Sequence, residues 1–130
     1  MDGLTIRHDD ELERDYGKWV LVRRSLGVTS FGMQILRFPP HADGHPEHDH
    51  SANGEEEVYT VLEGEITLHA GGEEHVLVPG TFARVGPDET RKLVTGDSGA
   101  LVLALGGIPG EPFEIAGYTE PSEADANGGG

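Results

Sequence analysis

The chain contains no cysteine. A disulfide framework, a thiolate metal site and a cysteine nucleophile are all excluded, so any metal must be held by His, Asp or Glu. Positive charge is also scarce: nine Lys and Arg stand against 24 Asp and Glu, for a formal charge of -15. A field of that sign repels phosphate backbones and anionic lipid, so neither nucleic acid nor membrane is expected as a partner. The acidity reads as a solvated surface that keeps the protein soluble. No run is long and apolar enough to span a bilayer, and Met1-Asp2-Gly3-Leu4-Thr5-Ile6-Arg7-His8 lacks the basic and then apolar profile of a signal peptide. A cytoplasmic protein is expected.

With 130 residues the chain is sized for one domain. Its 20 Gly and 8 Pro punctuate short runs of Val, Leu, Ile, Phe and Thr, the rhythm of an all-β fold. Strands are predicted at Lys18 to Arg24, Phe31 to Phe38, Glu57 to Leu62, Glu65 to His69, Glu73 to Val78, Thr81 to Gly86, Arg91 to Thr95 and Ala100 to Leu105. Gly-containing turns at Glu63-Gly64 and Gly71-Gly72 make successive antiparallel hairpins. Helix is expected only at Asp9 to Tyr16, where Leu12 and Tyr16 share a face. The division that follows is an N-terminal arm over 1–17, a β-barrel over 18–108 and a C-terminal extension over 109–130. Within that extension Phe113, Ile115 and Tyr118 form an apolar patch, and Glu120 to Gly130 is expected to be a disordered tail.

Four of the seven histidines fall within His41-Ala42-Asp43-Gly44-His45-Pro46-Glu47-His48-Asp49-His50. In an extended segment, the two-residue period puts His48 and His50 on one face. The same period puts Glu57, Tyr59 and Val61 on one face of the next strand. Two imidazoles and one carboxylate with open positions opposite suit non-haem Fe(II), and also Mn, Ni, Co or Zn. Against this stands the plain alternative of a solvated acidic loop. Three adjacent carboxylates, Glu55, Glu56 and Glu57, leave open which faces inward. His45 substitutes for His48 if the register shifts, whereas His69 and His75 read as exposed edge positions. Trp19 and Tyr16 read as packing at the barrel end.

His48-Asp49-His50 followed by Glu57-Val58-Tyr59-Thr60-Val61-Leu62-Glu63-Gly64 resembles the first motif of the cupin superfamily, in which His-x-His, a Glu and a later Gly occur in that order. The interval between His50 and Glu57 is a few residues longer than usual, which implies an enlarged loop around Asn53-Gly54. The resemblance spans Met33 to Gly106 and implies a single antiparallel barrel or jelly roll. It also implies His48, His50 and Glu57 as ligands of a divalent metal, no organic cofactor, and pairing into a homodimer.

In the second cupin motif a His completes the metal site, and here Arg91 stands at that position. Gly86, Asp88 and Thr95 occupy the places of its Pro, Gly and Asn. Guanidinium cannot ligate a metal. Turned inward, Arg91 would either pair with Glu57, which would make the barrel metal-free, or grip an anionic ligand beside an intact triad; turned outward, it would be solvated. The resemblance therefore implies a barrel that binds a small, anionic molecule with oxygenase- or lyase-type chemistry, Tyr59 and Arg91 acting on the substrate. A metal-free, non-catalytic ligand-binding barrel is the alternative.

Overall fold

A computed structural model describes residues 3–15 and 19–112. Among the described residues, nine strands form two antiparallel sheets. The larger sheet takes β1 (Arg14–Asp15), β2 (Trp19–Val20), β3 (Gly32–Phe38), β4 (Glu56–Gly64), β7 (Phe82–Val85) and β9 (Ala100–Gly107), in the order β1-β2-β3-β9-β4-β7. The smaller one takes β5 (Ile66–Ala70), β6 (Glu73–Leu77) and β8 (Arg91–Val94), in the order β6-β5-β8. This is the all-β, antiparallel architecture expected from the sequence. No helix among the described residues is long and apolar enough to cross a membrane.

The core forms between the sheets because alternate residues of each strand point inward. Leu36 and Phe38 of β3, Tyr59 and Val61 of β4, and Val102 and Ala104 of β9 meet Ile66 and Leu68 of β5, Leu77 of β6 and Leu93 of β8. Fully burying one such aliphatic side chain contributes about 1.5–3 kcal/mol, so this interdigitated set dominates the stability. The β4 to β5 turn depends on glycine. Gly64 has φ +80°, and a Cβ there would lie 2.3 Å from the Gly99 carbonyl oxygen.

Two sequence expectations change. The run from Lys18 to Arg24 is not one strand: β2 stops at Val20 and α1 (Val22–Leu26) follows. Gly27, at φ +80°, ends this helix by donating its N–H to the Arg23 and Arg24 carbonyls, while Leu21 and Val22 are buried. The helix expected over Asp9 to Tyr16 is a single 3-10 turn, Asp9–Glu11, leading into β1. His8 and Glu11 cap it reciprocally, but it buries nothing that would hold a longer helix in place. Tyr16, Lys18, the patch at Phe113, Ile115 and Tyr118, and the tail from Glu120 to Gly130 lie outside the described residues.

Candidate metal centre

The histidine segment is tied to the start of β8. His48 and Arg91 exchange both backbone hydrogen bonds (His48 N to Arg91 O 3.1 Å, Arg91 N to His48 O 2.8 Å), and His50 N donates to the Pro87 carbonyl at 2.8 Å. Residues paired this way point their side chains to the same face. His48 therefore fixes Arg91 inward, and the two-residue period carries His50 with it. The long loop is compact: Asp49 Oδ1 accepts from Ser51 N and Oγ, the Gly54 N–H returns to the His50 carbonyl, and Asn53 Oδ1 accepts from Glu55 N.

The register among the three carboxylates is resolved by the pleat. Glu55 and Glu57 are buried, whereas Glu56 lies outward against Arg84, with Arg84 Nε donating to its Oε2 at 2.8 Å. One oxygen, Glu57 Oε1, is the focus of the site. Tyr59 Oη donates to it at 2.7 Å and Arg91 Nη1 at 2.9 Å, while His50 Nε2 and His48 Nε2 face it at 3.2 and 3.7 Å. Burial pushes the Glu57 carboxyl up, but the His48 and His50 rings that face it and the hydrogen bond from Tyr59 outweigh burial and hold it well below the usual carboxylate range. Burial and the adjacent Glu57 anion push the Tyr59 hydroxyl well above its ordinary value.

His48, His50 and Glu57 each offer one ligand atom, and these atoms lie within 4.8 Å of one another. Donors held about 2.1 Å from one ion lie roughly 3.0–3.4 Å apart, so the spacing suits a shared cation. The donor chemistry fits as well. The Pro46 carbonyl can only accept, so its 2.9 Å contact makes His48 Nδ1 the N–H donor and leaves Nε2 the ligand atom aimed at Glu57.

Arg91 occupies the remaining direction. It is fully buried, and its second terminal nitrogen donates to the Gly86 carbonyl. Both terminal nitrogens are thus engaged by the protein, and the inward, Glu57-paired orientation is the one realised.

His45 does not replace His48. Its Nδ1 accepts from the Leu93 N–H at 3.1 Å, and burial, then the neighbouring His48, lowers its pKa to about 4. A row of rings runs from Trp19 through Phe38 and His45 to His48 and His50, with neighbouring centroids 5.0–6.1 Å apart. Trp19 packs edge-on against Phe38 at the margin of the core. His69 and His75 lie on β5 and β6, partly exposed beside Glu74 and Glu73.

Beside the cluster lies a cavity of about 30 Å³, lined by Trp19, Gln34, His45, His48, Glu57 and Tyr59 among others. That is room for about two water-sized groups. A larger cleft of about 660 Å³ opens between the edge strands β6 and β7, over Leu68, Leu77, Ala83 and Val85, and none of the three ligand residues lines it.

Of two further neighbours, the sequence does not single out Pro46 and offers Glu55 only as a rival to Glu57. Pro46, which orients His48, carries no sequence signal. Glu55 does: it stands two residues before Glu57, so the same period that turns Glu57 inward turns Glu55 inward.

Comparison with known proteins agrees with this architecture. The Cupin domain family matches residues 34–106. A sugar phosphate isomerase of the cupin superfamily from Silicibacter pomeroyi is 27% identical, with a TM-score of 0.61 over 68% of this chain and 57% of that one, so the chain spans less than two thirds of its length. A cupin protein from Bacteroides fragilis matches 91% of this chain and 99% of its own at TM-score 0.67 and 22% identity. A Cupin 2 conserved barrel domain protein from Salinispora arenicola matches 91% and 94% at TM-score 0.65 and 17% identity. No curated protein matches the chain. With more than half of its residues matched by the family and the two-sheet barrel in place, this chain belongs to the cupin family.

Proposed function

We propose that this cupin holds a divalent metal on His48, His50 and Glu57 and receives a small anion in the adjoining cavity. The observation that carries it is the convergence of His48 Nε2, His50 Nε2 and Glu57 Oε1, with the His48 ring oriented by the Pro46 carbonyl. The ion would supply Lewis acidity and a template for exogenous ligand atoms, chemistry that oxygenase- and lyase-type reactions use.

Charge accounts for the anionic preference. Arg91 already neutralises Glu57, so a divalent ion added to the pair leaves uncompensated positive charge in a water-poor interior, which favours a negative ligand. Arg91 contributes through its charge and its grip on Glu57, and Tyr59 holds the same oxygen. The 27% identical isomerase acts, by its name, on a sugar phosphate. A cavity of about 30 Å³ is far smaller than that, so the ligand proposed here is carboxylate-sized.

A second reading has its own support. The Arg91–Glu57 pair at 2.9 Å puts a fixed positive charge beside the carboxylate ligand, as a metal-free barrel would. Titrating small mono- and dicarboxylates into metal-loaded and chelator-treated protein separates the two. Binding only with metal, lost in the His48→Ala/His50→Ala double variant, is expected. Equal binding in both preparations would favour the metal-free barrel.

A further inference from the structure

Glu55 is 3% exposed, and its Oε1 has no hydrogen-bond partner among the described residues. It lies behind His50, 4.0 Å from Nδ1, while His50 Nε2 faces Glu57 on the other side of the ring. His48 is held in the corresponding way, with the Pro46 carbonyl at its Nδ1 and Glu57 facing its Nε2. Each imidazole thus has an oxygen behind it and the shared carboxylate in front.

The space that admits Glu55 is provided by a taper in β9. Its inward residues shrink from Val102 to Ala104 to Gly106 as the strand approaches the site. Gly106 stands opposite Glu57 in the sheet register, and a Cβ there would lie 2.3 Å from Glu55 Oε2. Any side chain at 106 would evict the carboxyl. A buried carboxyl without a hydrogen-bond partner for one oxygen is costly, and a glycine left open to accommodate it points to a function.

We propose that Glu55, in the space left by Gly106, is the positioning residue of His50: it accepts the Nδ1 hydrogen and thereby keeps Nε2 turned to the metal side. This rests on the metal assignment above. An oxygen acceptor behind a ligating imidazole fixes its tautomer and orientation, and losing one typically costs about 10–100-fold in metal affinity.

The test uses full-length protein and four variants: Glu55→Gln, Glu55→Leu, Gly106→Ala and Glu55→Leu/Gly106→Ala. The His50 ring tautomer is read by nitrogen NMR in Zn(II)-loaded and in metal-free protein, and affinity by titration with Zn(II) and Co(II). Wild type is expected to carry its hydrogen on Nδ1 of His50 once Zn(II) is bound. Glu55→Leu, which preserves apolar volume, is expected to mix the tautomers and weaken both metals about 10–100-fold. Glu55→Gln keeps an accepting oxygen and is expected to stay within a few-fold of wild type. Gly106→Ala is expected to weaken binding, with no further loss when added to Glu55→Leu. A Glu55→Leu variant with wild-type tautomer and affinity would overturn the proposal. Wild type that binds neither metal, yet loses its tautomer preference in Glu55→Leu, would retire the metal assignment and retain the role of Glu55.

Discussion

Arg91 Nη1 lies 2.9 Å from Glu57 Oε1 in a setting where the guanidinium is wholly buried and the carboxylate nearly so. Desolvating both charges is costly, and the pair is favourable only while each has its partner. Tyr59 and the Gly86 carbonyl complete the arrangement by bonding one member each. Arg91→Met is therefore expected to destabilise the fold by about 3–5 kcal/mol, because it leaves Glu57 charged and without its counter-ion. Urea denaturation with an unchanged slope would give that value.

Arg91→His has a different expected outcome. It removes the cation that competes with a metal for Glu57 and puts a neutral donor at the position where the second cupin motif carries its His. Metal affinity, measured by chelator competition, is expected to rise at least about tenfold, the equivalent of about 1.4 kcal/mol. An unchanged or lower affinity would mean that Arg91 does not oppose the ion.

Tyr59→Phe deletes one buried hydrogen bond to a charged oxygen and little else. Such bonds contribute about 1.5–3 kcal/mol, and a loss in that range is expected in the denaturation midpoint. The variant should also bind metal less well, since Glu57 loses one of the groups that hold it in place.

His45 and Glu55 give stability a compensated pH dependence. His45 has a folded pKa of about 4 against 6.5, so its contribution is complete above pH 6.5 and is lost as pH falls toward 4. Glu55 is pushed up to about 7 from 4.5, chiefly by burial, so its carboxyl destabilises the fold as pH rises from 4.5 to 7. Each is worth about 3 kcal/mol, and the slopes oppose one another between pH 4.5 and 6.5. Wild type is expected to vary little over that window. Glu55→Gln should gain stability with rising pH, and His45→Gln should lose it; urea midpoints at pH 4.5 and 6.5 report both.

Gly64→Ala tests the turn between β4 and β5. The new methyl meets the Gly99 carbonyl oxygen at a positive φ, so a loss of about 1–3 kcal/mol is expected on thermal or urea unfolding.

The strands from Gly32 to Gly107 were legible because alternation and Gly turns act locally, and β3 to β9 fall within a residue or two of their expected bounds. The stretch around Val20 to Arg24 was not. Its β-rich composition gives way to a helix because Leu21 and Val22 are buried there and Gly27 supplies the left-handed end. At the site, the period of two gave the common face of His48 and His50, and that of Glu57 with Tyr59. The orientation of Arg91 was not legible, because it depends on pairing with His48, 43 positions away, across a single bridge. The choice of Glu57 over Glu55 was equally hidden, since both face inward and only tertiary geometry decides which meets Nε2 of the histidines.

The metal site proposed on His48, His50 and Glu57 has to form despite the ion pair to Arg91. Elemental analysis of protein purified without a His-tag or chelator, beside the His48→Ala/His50→Ala variant, tests it most directly. Close to one equivalent of Fe, Mn, Ni, Co or Zn is expected in the wild type and none in the variant. Protein without metal, even after reconstitution with each of these ions, would contradict it and leave Arg91 as the permanent cation of the barrel.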